Sequence, residues 1–478
     1  MSSLEGNLSQ FFDRRGWTFV RELGEKFGGV VPMNGFFGQK ILYVFDPKAL
    51  HHVCVKDTDI YDETEGFLIA GAIMFGKSIL STRVILMHMH ATLQLKTALV
   101  SQVEKDSKKD VDVARWMSRT ALELIGQAGL GHSFDSLAED KPNAYVDAMK
   151  ALPAAVFALE ILRPAVPYLY TYLPKPFLRW LVEVLPSKRL THAKDLIDTL
   201  WNVNVDILAQ KRAAIATGGE EEVKEGNDLI SCLLRENMKA SDEERMEDEE
   251  LLGMMSGLTF AATDTTSTAL ALTLCTLAAH PEAQAKLRQE LREARADGQE
   301  LSYDTVTSLP YLDAVCRETL RLSTPVPYMT REASRDAVLP LHTPIRGKDG
   351  QMVDEVVVPA RTMLVLGITA TNRTPVLWGD DAHEWKPERW LEALPDSVLE
   401  ARIPGIYSHL MTFLAGNSGF KFSQLEMKVI LAMLVETFTF DFSEKEIYWN
   451  WAGIIYPTVG SVDTKTQMPL RVGLAKDL

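Results

Sequence analysis

The chain has 478 residues, 46% of them hydrophobic, a formal net charge of −15, and four cysteines, Cys54, Cys232, Cys275 and Cys316. An acidic chain without a basic stripe argues against nucleic acid as a partner, and scattered cysteines with no CxxC pair argue against zinc or thioredoxin chemistry. The hydrophobic share suits a globular protein with a large core, and lone cysteines fit a reducing compartment, where each is a small buried hydrophobe.

Met1 to Glu22 is polar and broken by Asp13, Arg14 and Arg15, so it reads as neither a signal peptide nor a membrane anchor. Val30 to Phe45 reads as a hairpin around Asn34-Gly35-Phe36-Phe37-Gly38. Asp46 then caps a helix with Pro47 at its first position. From Val111 to about Arg212 the pattern is mostly helical, interrupted at Pro164, Pro167, Pro174 and Pro176. Gly218 to Asn227 reads as a charged, glycine-flanked loop, its acidic run a solvated surface.

The acidic stretch Ser241 to Glu250 favours the N-terminus of a long apolar helix that stops near His280. Its core from Leu251 to Ala279 is long enough to span a bilayer. Asp264 and several threonines mid-span make burial in a large core the better reading, because a charge in lipid is costly. Pro281 starts the next helix, with an apolar stripe at Leu287, Leu291 and Ala294. Another helix runs from about Pro310 to Leu322. Val326 to Gly367 alternates short β-like runs with turns, and a last helix spans about Phe422 to Phe438. Helices dominate, with strands near the start and after Pro325. The expected fold is mainly α with small β-sheets to one side (α+β), in a single domain over residues 1–478.

Four motifs carry chemistry. The first, Ala261-Ala262-Thr263-Asp264-Thr265-Thr266, puts polar side chains in mid-helix, where they compete for backbone groups. It is either a helix face wetted by internal water or a polar notch that delivers protons to a buried centre. The second, Glu318-Thr319-Leu320-Arg321, places an acid and an arginine on one helix face, a spacing that also occurs by chance. The third is Trp385-Lys386-Pro387-Glu388-Arg389-Trp390, whose arginine can reach a buried carboxylate in a forked contact. The fourth is Phe413-Leu414-Ala415-Gly416-Asn417-Ser418-Gly419-Phe420, a glycine-rich approach to a helix N-terminus.

In this order the four resemble the signature set of the cytochrome P-450 superfamily, the haem-thiolate monooxygenases. The resemblance runs from about Phe27 to the C-terminus. Arg361 to Trp390 and Trp449 to Val472 look most like fungal membrane-bound members. It implies a cytochrome P-450 fold and a haem (iron protoporphyrin) cofactor. Asp264 and Thr265 would match the acid–alcohol pair that relays protons, with Ala261 beside the haem; Ala262 stands where the family usually has Gly. Glu318, Arg321 and Arg389 would form the structural triad behind the haem loop. Arg331 would donate to a haem propionate unless it is a surface arginine in a turn. Phe413, Gly416 and Gly419 would belong to the cofactor loop.

That loop departs from the family. The family spaces its two glycines six residues apart around a basic residue and the iron-ligating cysteine. Here Gly416 and Gly419 are three apart, and the cysteine is among the missing residues, so no metal ligand is assigned. His409 is misplaced to serve as one. The family's basic helix is also unmatched between Thr82 and Val100, and the stretch before Val111 is too short. His88 and His90, two residues apart, would face different sides of a helix and make no metal pair. The anchor expected of fungal members is missing as well. Local losses in an otherwise intact text resemble a damaged gene or a misassembled coding sequence.

The resemblance thus implies a haem-dependent oxidoreductase acting on a lipophilic small molecule. It would use dioxygen and electrons from NADPH through a flavoprotein reductase, and would be inactive as written. The alternative is a haem-poor pseudoenzyme holding lipophilic ligands or partners. A monomer is expected, at the endoplasmic reticulum membrane for the family, and cytoplasmic or peripheral for a chain without an anchor.

Overall fold

The computed structural model describes the chain except for residues 1–6, 36–37, 65–66, 68–87, 104–108, 135–136, 138–142, 158, 160–165, 226–227, 242–244, 296–300, 348, 415–418, 464 and 476–478. For residues 88–93, 154, 157, 167, 215–225 and 303 the backbone alone is described. Helices dominate, with several small sheets, as expected for a mainly α fold. The chain divides into two compact units. One comprises residues 1–67, 309–417 and 449–456, the other 68–308, 418–448 and 457–478.

The first unit is built on a five-stranded sheet in the order Val30–Asn34, Lys40–Val44, Met363–Gly367, Tyr328–Ala333 and Tyr61–Asp62. The hairpin expected from Val30 forms its edge, with Val30 opposite Val44 and Asn34 opposite Lys40. The Asp46 carboxylate caps the following helix at Lys48 and Ala49 and also accepts from the backbone of His342 and Thr343. One buried side chain thereby joins that helix to the hairpin strand Ala337–Arg346. Phe11, Tyr43, Tyr328, Val365 and Trp451 pack on the sheet. Gly367 is required there, because a Cβ would stand 2.5 Å from the Tyr43 hydroxyl. A tight turn at Ser408 and His409, both with positive φ, joins strands Gly405–Tyr407 and Leu410–Leu414.

The second unit is organised by the long helix Asp248–Ala279. Glu247 and Glu250 form a capping box at its start, and three acidic residues fill its first turn. Five of its hydroxyls are satisfied locally: Ser256, Thr259, Thr265, Thr273 and Thr276 each donate to the carbonyl four residues back. That is how a threonine-rich helix tolerates burial. Helix Val113–Ile125 packs along it, and Ser118 donates to Ser267. Leu122, Met149, Leu208, Leu251 and Met255 share one apolar core.

Three local expectations change. Gly218 to Glu225 continues helix Lys188–Glu225 instead of forming a loop. Glutamates and lysine propagate a helix well, and two glycines cost only about 1 kcal/mol each. Pro167 and Pro176 fall in the first turns of helices Val166–Tyr172 and Lys175–Val184, where a missing N–H is tolerated, so neither breaks a helix. Residues from Val111 begin as strand, not helix: Lys109–Asp112 joins Phe438–Phe442 and Pro469–Leu474 in a three-stranded sheet. Its strands are distant in sequence, so no local pattern announces the pairing. No helix among the described residues is long and apolar enough to cross a membrane.

Candidate functional site

In the first unit, helix Pro310–Leu322 carries Glu318 and Arg321 into complete burial. Arg321 donates through Nε and Nη2 to the two Glu318 oxygens, each at 2.8 Å. Its remaining donors reach the carbonyls of Asn372, Ala382 and Glu384. Arg389 approaches Glu318 at 3.4 Å and pairs with Asp381 at 2.8 Å. Glu318 also accepts from the Lys386 amide and the Trp390 indole. The Arg321 guanidinium lies 5.0 Å from the Trp378 ring centre. The three residues singled out in the sequence are therefore brought together. Trp390 belongs to the third motif, whereas Trp378 and the carbonyl acceptors were invisible, because nothing local marks a carbonyl as a partner.

In the second unit, Asp264 and Thr265 lie midway along the long helix, both partly buried. Burial pushes the Asp264 carboxyl up to about 6, and the Lys150 ammonium pulls it back. Lys150, on helix Ala144–Phe157, donates to the Ala114 carbonyl at 2.7 Å. Its own pKa is lowered by burial, against the pull of Asp112, Asp264 and Asp147. Thr265 donates to Ala261 O at 2.7 Å. The Thr263 hydroxyl is buried without a partner among the described residues. Lys150 escaped the sequence reading because its neighbourhood is set by helix packing, not by spacing.

Arg331 sits in strand Tyr328–Ala333. It is partly buried rather than in a surface turn, and its Nη2 pairs with Glu63 at 2.9 Å. Glu63 directly follows the strand Tyr61–Asp62, which pairs with the strand that carries Arg331. Phe413 ends the strand pair at Leu410–Leu414 and packs edge-on against Tyr407. Gly419 caps the last helix, Phe420–Thr437. Gly416 and the rest of residues 415–418 lie outside the described residues, as do the side chains of His88 and His90 and all of residues 82–87. His409 belongs to the tight turn.

Among the described residues the four cysteines form no disulfide. Cys316 is buried on the triad helix, and Cys275 lies on the long helix. Cys232 is exposed and receives a contact from Arg235. Cys54 is partly buried, and burial pushes its thiol up to about 11 despite Arg331. Among the described residues no group of three or more His, Cys, Asp or Glu side chains could hold a metal ion.

A helix-rich chain with small sheets, a buried Glu–Arg–Arg cluster and an acid–alcohol pair midway along its long helix matches the outline of a haem-thiolate enzyme. The chain belongs to the cytochrome P-450 family, whose family model matches residues 3–453. Cytochrome P-450 monooxygenase 91 of Postia placenta is 46% identical, covering all of this chain and 93% of the relative. Cytochrome P-450 monooxygenase 81 of the same fungus is 42% identical, covering 99% of this chain and 92% of the relative. A ganoderic acid synthetase of Ganoderma lucidum is 39% identical, covering 98% and 91%. The first alignment spans 505 positions against the 478 residues of this chain, leaving at least 27 positions where the relative has a residue and this chain has none.

Proposed function

We propose that this chain is a monooxygenase scaffold, shaped to oxidise a lipophilic small molecule with dioxygen and electrons from a flavoprotein reductase, whose chemistry is lost with its axial cysteine. One observation carries the reading: residues 415–418, Ala-Gly-Asn-Ser, hold no sulfur where the family places the iron-ligating thiolate. Bound haem would supply the oxygen chemistry, and the thiolate is what favours O–O cleavage. The residues present do not fit that centre. A serine hydroxyl does not replace a thiolate, Cys54 stays protonated near neutral pH, and Arg331 is already paired with Glu63.

What the chain keeps is the surrounding apparatus. Asp264 can hold or release a proton near neutral pH, and the Thr265 hydroxyl beside it can pass one along. The triad fixes the polypeptide around Glu318. The Arg331–Glu63 pair favours the second reading, a haem-poor protein that holds lipophilic ligands or partners. The endoplasmic reticulum membrane surface belongs to the proposal too. Helices Val166–Tyr172 and Lys175–Val184 expose Tyr168, Tyr172, Phe177, Trp180 and Val184 beside Lys175, and the second of them buries no residue. Tyrosine, tryptophan and lysine together are the composition of a membrane-interface helix.

The test is the spectrum of reduced protein with carbon monoxide. The chain as it stands should lack the red-shifted Soret band of thiolate ligation, and any haem it carries should look nitrogen- or water-ligated. A full thiolate band would overturn the reading and make Cys316 the first cysteine to replace.

A further inference from the structure

Glu426, on the last helix, is 1% exposed, and among the described residues neither carboxyl oxygen has a hydrogen-bond partner. On the same helix Ser423 meets Thr266 of the long helix at 3.0 Å and Lys428 donates to the Thr307 carbonyl, while Gln424 Nε2 is buried without a partner among the described residues. The last helix packs against helices His88–Val103, Asp248–Ala279, Pro281–Ala294 and Tyr303–Ser308, and strand Phe438–Phe442. Among the described residues the cations on or beside these elements are exposed, engaged or only partly buried: Lys286, Arg292 and Lys421 are exposed. Arg288 donates to the Val435 and Phe438 carbonyls, Arg295 pairs with Glu436, and Lys96 is only partly buried. The acids Asp304 and Asp441 offer no donor. Burial alone pushes the Glu426 carboxyl well above its ordinary range, with no neighbouring charge to counter it.

A buried carboxylate without a donor is costly, and proteins rarely leave one so. The same chain lacks at least 27 positions that a 46%-identical relative fills, since its 478 residues align over 505. We infer that Glu426 is one half of a buried ion pair, and that the other half is an arginine in a segment this chain lacks. Two empty oxygens match a guanidinium fork, and arginine is the cation most readily desolvated. The inference rests on reading the chain as an interrupted member of its family.

The experiment is a thermal-unfolding series on the full chain carrying Glu426→Gln and, separately, Glu426→Met. A carboxyl raised in the folded state takes stability away as pH climbs from its unfolded pKa towards its folded one. Both substitutions should therefore raise the Tm by about 2 °C or more near about pH 8 and leave it unchanged near about pH 4. In a chain refilled with the relative's missing residues, Glu426→Gln should instead lower the Tm. That reversal should vanish when the refilled arginines are changed to Met. A lower Tm for both variants in the chain as it stands, or no reversal on refilling, would overturn the inference. A thiolate-type carbon monoxide spectrum would sink the proposed function and leave this comparison untouched.

Discussion

Glu318 accepts five hydrogen bonds and Arg321 donates five, and neither side chain is exposed. Charges taken out of water gain little from pairing alone, but removing one partner strands the other. Arg321→Ala should therefore cost about 3–5 kcal/mol, read as a large drop in the unfolding midpoint; a shift near zero would show that Glu318 is not stranded. Asp264 is poised differently. Its carboxyl is raised to about 6, so the folded state loses stability as pH rises from the unfolded value towards that point. Asp264→Asn should raise the Tm near neutral pH and have little effect near about pH 4. Equal effects at both would mean the carboxyl titrates normally. Glu318-Thr319-Leu320-Arg321 was legible in the sequence only as a possible pair. What makes it a centre is the set of carbonyls at Asn372, Ala382 and Glu384, and carbonyls carry no sequence signal.

Among elements, legibility follows locality. Asp46-Pro47 and the hairpin before it were readable because cap, proline and turn residues act within a few positions. The long helix was readable from its apolar run and acidic start. The strand Lys109–Asp112 was not, because its partners lie beyond residue 437 and the strand is four residues long. The glycines at 218 and 219 misled because a helix already propagating from Lys188 absorbs them. Helix Lys175–Val184 carries the prediction at this scale. Its tryptophan and phenylalanine are about half exposed, their rings 5.5 Å apart. Each aromatic side chain moved from water into an apolar phase gains about 1.5–3 kcal/mol. Changing Phe177 and Trp180 together to Ser should weaken co-sedimentation with phosphatidylcholine–phosphatidylserine vesicles at least tenfold without lowering the Tm. Unchanged vesicle binding would remove this helix from the membrane-facing surface.

At the scale of the molecule, the loss proposed for this chain falls in one short loop of the sequence. The triad is fully paired within its own unit, and the helix after Gly419 packs within the other, although its Glu426 is left without a donor among the described residues. The triad draws none of its hydrogen bonds from residues 415–418, so the proposal can be tested by rebuilding the loop. Inserting three residues between Gly416 and Gly419, to give a basic residue, any residue, Cys, any residue and Gly, puts sulfur back where the family carries it. The rebuilt chain should show part of the thiolate band with carbon monoxide, and added haem should raise its Tm, since a ligand that binds only the folded state stabilises it by mass action. Recovery should stay partial while Arg331 remains paired with Glu63 and the sequence from Thr82 to Val100 does not match the basic helix that the family resemblance implies. Adding Glu63→Gln should then increase the haem-induced Tm shift by freeing the guanidinium for an anionic ligand. If the rebuilt loop gives neither a thiolate band nor a haem-dependent Tm, the loss extends beyond the loop, and the haem-poor reading holds for the whole molecule.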